Sequence, residues 1–215
     1  YWIEQEIGKK KYGKEPGSLY EPISYLMGLG GKRLRPMLTL LAYGLFKENV
    51  KSVVPYAVAV EAFHNFTLMH DDIMDEAPLR RGKKTVHTLF GRNSAILSGD
   101  AMLIRCFDLL IEAGRQKEIG VDLCSVMCKV SLEICEGQQM DMDFEPLASP
   151  TESEYLEMIR KKTACLLGAS LQMGAILAGA DHPDAKALYD FGEKIGVGFQ
   201  VQDDYLDAFG DPGKF

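Results

Sequence analysis

From residue 18 onward, apolar residues recur every three or four positions along most of the chain. That period predicts helices over about 18–28, 33–47, 52–76, 92–114, 118–144, 151–180 and 184–209. No alternating run flanked by hairpin turns marks a strand. Pro36 falls in a first helical turn, where its missing N–H costs nothing. In "SPTESE", Thr151 followed three residues later by Glu154 spells a capping box. "HPDAKALYDF" opens the next helix after Ala180. The stretch Ala164–Ala180 carries no charge, but it is at the short limit for a bilayer span and holds Ser170, Gln172 and glycines, so a buried core helix is expected rather than a membrane segment. There is no long linker and no low-complexity tract. The expectation is one all-α, single-domain helical bundle over residues 1–215.

Composition narrows the partners. The chain is 47% hydrophobic and 26% charged, with a net charge of -7. An acidic balance argues against nucleic acid as a partner. The five cysteines form no CxxC pair and have no histidine at zinc-ligand spacing. They read as reduced thiols packed as small hydrophobes, which points to the cytoplasm. The start, "YWIEQEIGKKKYGKE", is amphipathic and polar, unlike a signal peptide.

Local charge says more than the total. "LMHDDIMDEAPLRRG" gathers carboxylates at Asp71, Asp72, Asp75 and Glu76 directly before two arginines, Arg80 and Arg81. On a helix Asp71 and Asp75 project together, with Cβ atoms roughly 5–6 Å apart, and repel. Thr67, His64 and Val60 continue that stripe. The D-D-x-x-D pattern returns as Asp203, Asp204 and Asp207, with Gln200 and Gly196 on the same face as Asp203. Two identical acidic patterns, each ending an apolar-rich helix, suggest carboxylates converging on one cavity and a hard divalent cation. Mg²⁺ fits best, because it is usually shared between a few carboxylates and substrate phosphates.

Two basic islands suit the anion that such a metal would accompany. "GLGGKRLRP" sets Lys32, Arg33 and Arg35 after two glycines at a helix start. "LRRGKKT" sets Arg80 and Arg81 in what reads as a loop after the first acidic helix. Lys162 and Thr163 lead into the apolar run.

Together "GGKRLRP", "HNFTLMHDDIMDEAPLRRG", "EGQQMDMDFE", "KKTACLLGASLQMGA" and "GFQVQDDYLDAFGDP" resemble the trans-isoprenyl diphosphate synthases, from about residue 18 to the end. The resemblance implies a homodimeric, all-helical, isoprenoid-synthase-like bundle around a central cavity. Such an enzyme joins isopentenyl diphosphate to an allylic diphosphate (dimethylallyl, geranyl or farnesyl) by ionisation, condensation and elimination, with three Mg²⁺ ions shared with the diphosphate. Lys32, Arg35, His64 and Arg81 match the family's isopentenyl diphosphate contacts. Asp71 and Asp75 match the first metal motif, Asp203 and Asp207 the second, with Asp72 and Asp204 less certain as direct ligands. Arg80, Lys162, Thr163 and Gln200 match contacts to the allylic diphosphate. Asp71, Asp75, Arg80, Lys162 and Asp203 are thereby expected to carry the chemistry. Gln138 and Asp141 match a motif of unassigned role. Phe66 and Thr67, just before the first motif, match the positions that limit product length. One aromatic there implies a short-chain product, geranylgeranyl diphosphate, with farnesyl diphosphate as the alternative. The family's chains continue past this point, so C-terminal helices are expected to be missing. A class I terpene cyclase and a non-catalytic partner subunit remain alternative readings. The retained second D-D-x-x-D and the Lys32/Arg35 island weigh against the first, and retention of both acidic motifs weighs against the second.

Overall fold

The computed structural model describes residues 1–9, 13–117, 119–144 and 150–210, with backbone alone for 113–117. The Gly/Pro turn expected over 211–215, the last residue of "EGQQMDMDFE" and residue 118, where one helix was expected to begin, lie outside the described residues.

The helices are α1 (Trp2–Ile7), α2 (Gly17–Gly28), α3 (Leu34–Gly44), α4 (Val54–Met74), α5 (Val86–Phe90), α6 (Arg92–Lys117), α7 (Gly120–Phe144), α8 (Glu152–Ile159), α9 (Cys165–Ala178) and α10 (His182–Phe209). A 3₁₀ turn, Val50–Val53, leads into α4. The all-α expectation holds. Two short helices, α1 and α5, were not predicted, being too brief to show a period. The capping box at Thr151 and Glu154 is present in full.

Among the described residues the only strands are β1 (Leu79–Arg80) and β2 (Lys83–Lys84), paired antiparallel. They correct the expected loop at Arg80 and Arg81. Arg81 (φ 53°) and Gly82 (φ 71°) form the two-residue turn, and positive φ at both central positions is what a type I′ hairpin needs.

The predicted helix over 151–180 is interrupted. Residues Arg160–Ala164 form a π-helical turn between α8 and α9. Such a turn inserts one extra residue and re-aims the side chains around it. The segment Ala164–Ala180 is core: twelve residues of α9 are buried, and no described helix is long and apolar enough to cross a membrane.

The chain divides into two compact units, one of Tyr1–Leu40 and Asn49–Val121, the other of Leu41–Glu48 and Asp122–Phe215. In the first, α4 packs chiefly on α6, with α1, α2 and α5 around them. Ile23, Leu26, Val58, Ala62, Met69 and Met102 belong to one buried cluster there. Each fully buried Leu, Ile or Met is worth about 1.5–3 kcal/mol over an exposed one. In the second, α9 and α10 form the main contact, and α10 also packs on the π turn. Glycines make this approach possible. A Cβ on Gly192 would sit 2.9 Å from the Gly168 Cα, and one on Gly196 2.7 Å from the Ala164 Cα.

Candidate diphosphate and metal site

Helix α4 carries the first acidic motif because its two ends differ. Its first half is apolar apart from Glu61, and Ala57–Phe63 are buried without a break, as a core helix requires. Its last turn turns acidic and ends at Asp75. The chain then reverses through Glu76 in the left-handed region (φ 50°), and the Ala77 N–H donates to the Asp72 carbonyl at 3.0 Å. This end delivers Pro78 and the hairpin back against the helix. Tyr25 of α2 donates its hydroxyl to the Lys84 carbonyl at 2.7 Å and steadies the hairpin.

Arg80 returns from the hairpin to the acidic turn. Its Nε lies 2.9 Å from both oxygens of Asp72, and its Nη2 lies 2.8 Å from Asp72 Oδ1 and 3.6 Å from Asp71 Oδ2. Asp72 is 1% exposed, so this pair works in a poorly solvated setting. Here is the charge that offsets the like-charge repulsion along the motif. Asp71 stays partly exposed and Asp75 exposed.

The two basic islands meet within the same unit. Arg81 Nη1 donates to the Gly30 carbonyl, and its guanidinium lies so close to Gly31 that a Cβ there would be 3.0 Å from Cζ. Arg35 Nη1 approaches His64 Nε2 at 3.1 Å. An arginine can only donate, so His64 Nε2 accepts and the ring is neutral. Burial, then the positive field of Arg35, Arg81, Arg80 and Arg33, holds His64 well below its usual pKa. Burial and Arg33 lower that of Arg81. Cations crowded closely enough to disfavour one another make a region of positive potential suited to an anion. Of the predicted isopentenyl diphosphate set, the structure links Arg35 to His64 and sets Arg81 on the loop that carries Lys32, which is exposed.

Arg33 departs from the expected island. It turns inward and is 8% exposed. Its Nε donates to Glu4 at 2.7 Å, its Nη1 to Glu61 at 2.8 Å and its Nη2 to the Met27 carbonyl at 2.8 Å. Burial disfavours its charge, but the bonds to Glu4 and Glu61 more than offset this, and its pKa is raised. Sequence reasoning passed over Glu61, although a glutamate inside the run "AVAVEAF" was the available signal.

Phe66 packs against the apolar cluster, with Phe63 at 5.5 Å and His70 edge-on at 4.8 Å. Thr67 donates to the His64 carbonyl at 2.8 Å and shares the Asp71 side of the helix.

The second motif ends α10. Asp204 accepts from Tyr155 at 2.5 Å and from Gln200 at 2.8 Å, while Asp203 and Asp207 are exposed. Burial and the Asp204 carboxylate push the Tyr155 hydroxyl up to about 12. Lys162, in the π turn, donates to Asp141 of α7 at 2.6 Å. The contact depends on Gly137, whose added Cβ would meet the Lys162 backbone nitrogen at 2.4 Å. Asp141 therefore orients Lys162, a structural role for part of the "EGQQMDMD" segment; Gln138 and Thr163 are half-buried nearby in sequence. Arg160 braces the turn through Glu157 at 2.7 Å, Glu193 at 2.9 Å and Glu133 at 3.3 Å. None of the five cysteines is in a disulfide, but only Cys106 and Cys165 are buried. Cys128 and Cys135 lie on an exposed side of α7, which corrects the expectation that all five pack as core.

An all-α chain that ends two helices in the same acidic pattern, one beside an arginine hairpin, has the make-up of an isoprenoid-synthase-type protein. The chain belongs to the polyprenyl synthetase family, which it matches over residues 16–215. It is 46% identical over 208 residues to a geranylgeranyl pyrophosphate synthase of Geoglobus acetivorans, covering 97% of this chain and 65% of that protein. A crystal structure of a geranylgeranyl pyrophosphate synthase superposes with a TM-score of 0.94 at 49% identity, covering 98% of this chain and 64% of the other. A Caulobacter crescentus CB15 polyprenyl synthase, crystallised with calcium and isoprenyl diphosphate, superposes with a TM-score of 0.87 at 32% identity over 95% of this chain and 61% of the other. The chain thus spans just under two thirds of the length of these relatives.

Proposed function

We propose that this protein is a trans-prenyltransferase that joins isopentenyl diphosphate to an allylic diphosphate and makes geranylgeranyl diphosphate. One observation carries the reading. In each acidic motif the second aspartate is engaged by neighbouring side chains, Asp72 by Arg80 and Asp204 by Tyr155 and Gln200. Asp75, Asp203 and Asp207 are exposed and Asp71 is half-buried, each more open than the second aspartate of its own motif, which supports the first and last positions as the ligand pair in both.

The donor set fits Mg²⁺, and three ions shared with the allylic diphosphate are the proposed complement. Among the described residues no three His, Cys, Asp or Glu side chains draw together into a ready-made cage. Mg²⁺ does not require one, since it usually takes one or two carboxylates and completes its shell with water and phosphate oxygens. Asp71, Asp75, Asp203 and Asp207 would hold it, and when bound it supplies Lewis-acid stabilisation of charge on the leaving diphosphate. A single polyprenyl synthetase domain over residues 1–215 belongs to the proposal.

The chain's own groups then divide the work. Lys32, Arg35, His64 and Arg81 bind the isopentenyl diphosphate. A neutral His64 keeps Arg35 oriented without adding a charge of its own. Arg80, Lys162, Thr163 and Gln200 bind the allylic diphosphate, and the cations stabilise the charge that develops as the allylic C–O bond breaks. Apolar walls keep water from the resulting carbocation. The double bond of isopentenyl diphosphate attacks it, and the released diphosphate takes the proton lost in elimination. Phe66 and Thr67 limit the product's length. On α6, Leu97, Ile104 and Ile111 are exposed at intervals of seven, one helical face. That apolar stripe supports a homodimer. The thiols and the family suggest the cytoplasm.

The test is product chromatography after incubation with isopentenyl diphosphate, Mg²⁺ and, separately, dimethylallyl, geranyl or farnesyl diphosphate. A C20 diphosphate is expected. Hydrocarbon released from geranyl diphosphate alone would instead indicate a cyclase, and no turnover by the purified protein would indicate a partner subunit.

A further inference from the structure

The loop between α2 and α3 is held from two sides by arginines. Outside, Arg81 donates to the Gly30 carbonyl and lies against Gly31. Inside, Arg33 spends all three nitrogens on Glu4, Glu61 and the Met27 carbonyl. Gly30 (φ 78°), Gly31 (φ 145°) and Arg33 (φ 49°) all lie at positive φ. For a non-glycine residue that conformation costs of order 1–3 kcal/mol and persists only where its surroundings dictate it. At Arg33 the surroundings are the Glu61 carboxylate, 2% exposed. Asn65 steadies that carboxylate by donating to it at 3.2 Å and to the Glu61 carbonyl at 2.8 Å. Glu61 and Asn65 stand on α4, the helix that also carries His64 and the first acidic motif.

We propose that Glu61 is a positioning residue for the diphosphate site: by fixing Arg33 inside, it sets the strained loop so that Lys32 and Arg35 on either side of Arg33 are presented to the anion, in register with His64 on α4. The inference rests on the reading of this loop as the isopentenyl diphosphate site. Lys32, directly before the inward Arg33, is exposed, and Arg35, two residues on in the first turn of α3, lies beside His64.

The charge of Glu61 gives the test its sign. Removing a carboxylate near a cationic site should tighten anion binding if only Coulomb attraction counts, whereas loss of positioning should weaken it. Isopentenyl diphosphate is titrated calorimetrically into the protein in EDTA, so that metal-dependent binding does not contribute. Glu61→Gln, with helicity retained, is expected to bind about tenfold more weakly, the scale on which orienting partners act. Equal or tighter binding overturns the positioning role. Arg35→Ala is the companion: weaker binding there with no change in Glu61→Gln defeats the positioning alone. No binding by the parent protein, or no effect of Arg35→Ala, defeats the site and the proposal with it. Should Glu61→Gln lose its helicity, Glu4→Gln, whose side chain is 54% exposed, carries the same measurement with the same sign.

Discussion

The two acidic motifs share a spacing but not a setting. In the first, Asp72 is buried and paired with a guanidinium, so one negative charge is balanced inside the motif. In the second, Asp204 is partly exposed and held by a phenol and an amide, both neutral donors. The first motif is also finished locally, by a left-handed helix end and a hairpin that returns Arg80 to it. The second projects from the last turns of α10 among exposed Val201, Tyr205 and Phe209. One pattern can thus be built as a stable, partly neutralised element or as an open, strongly anionic one.

If both motifs nonetheless serve one reaction, Asp71→Ala and Asp203→Ala should each cut turnover by orders of magnitude while leaving far-UV circular dichroism unchanged. A near-normal rate in Asp203→Ala would break the pairing and leave the first motif to act alone.

The second aspartates should separate the settings. Asp72→Asn leaves Arg80 with only the longer contact to Asp71 and takes a charge-assisted pair from a buried carboxylate, and should cost about 2–3 kcal/mol. Asp204→Asn removes an acceptor in a more solvated place and should cost about 1 kcal/mol. Urea denaturation of both variants decides it, and equal losses would show that burial does not distinguish them.

Much of this was legible beforehand, and the boundary is physical. Helical period marked α2, α4, α9 and α10, because each buries a continuous stripe, and the repeated Asp spacing survived intact. Three features were not legible. The π turn is set by tertiary crowding at Gly137 and Gly196, and neither glycine signals its partner from spacing alone. The hairpin turn is Arg81-Gly82, where the usual signal is Asn-Gly or Asp-Gly. The inward turn of Arg33 depends on one positive φ and on Glu61, 28 residues away. A run such as "KRLR" tells how many charges are present, not which way each one faces.

The π turn offers a test between the other two in size. Gly137→Ala must push α7 off the Lys162 backbone, and overpacking of this kind costs about 1–3 kcal/mol. Because Lys162 moves with it, turnover should fall more than stability. An unchanged melting temperature would mean that α7 shifts freely.

The smallest effect probes Asp204 in the second motif. Tyr155 has a folded-state pKa of about 12, raised by burial and then by Asp204, against about 10 in an unfolded chain. Its neutral form is therefore favoured by folding. That contribution is complete below about pH 10 and is lost as pH rises toward 12. The difference in alkaline absorbance near 295 nm between the parent protein and Tyr155→Phe isolates this one phenol. In an Asp204→Asn background the same difference should move to lower pH, because the carboxylate no longer opposes ionisation, while burial leaves part of the shift in place. If the midpoint does not move, Asp204 does not bear on Tyr155 as a charge, and the contrast with the arginine-balanced Asp72 loses its electrostatic basis.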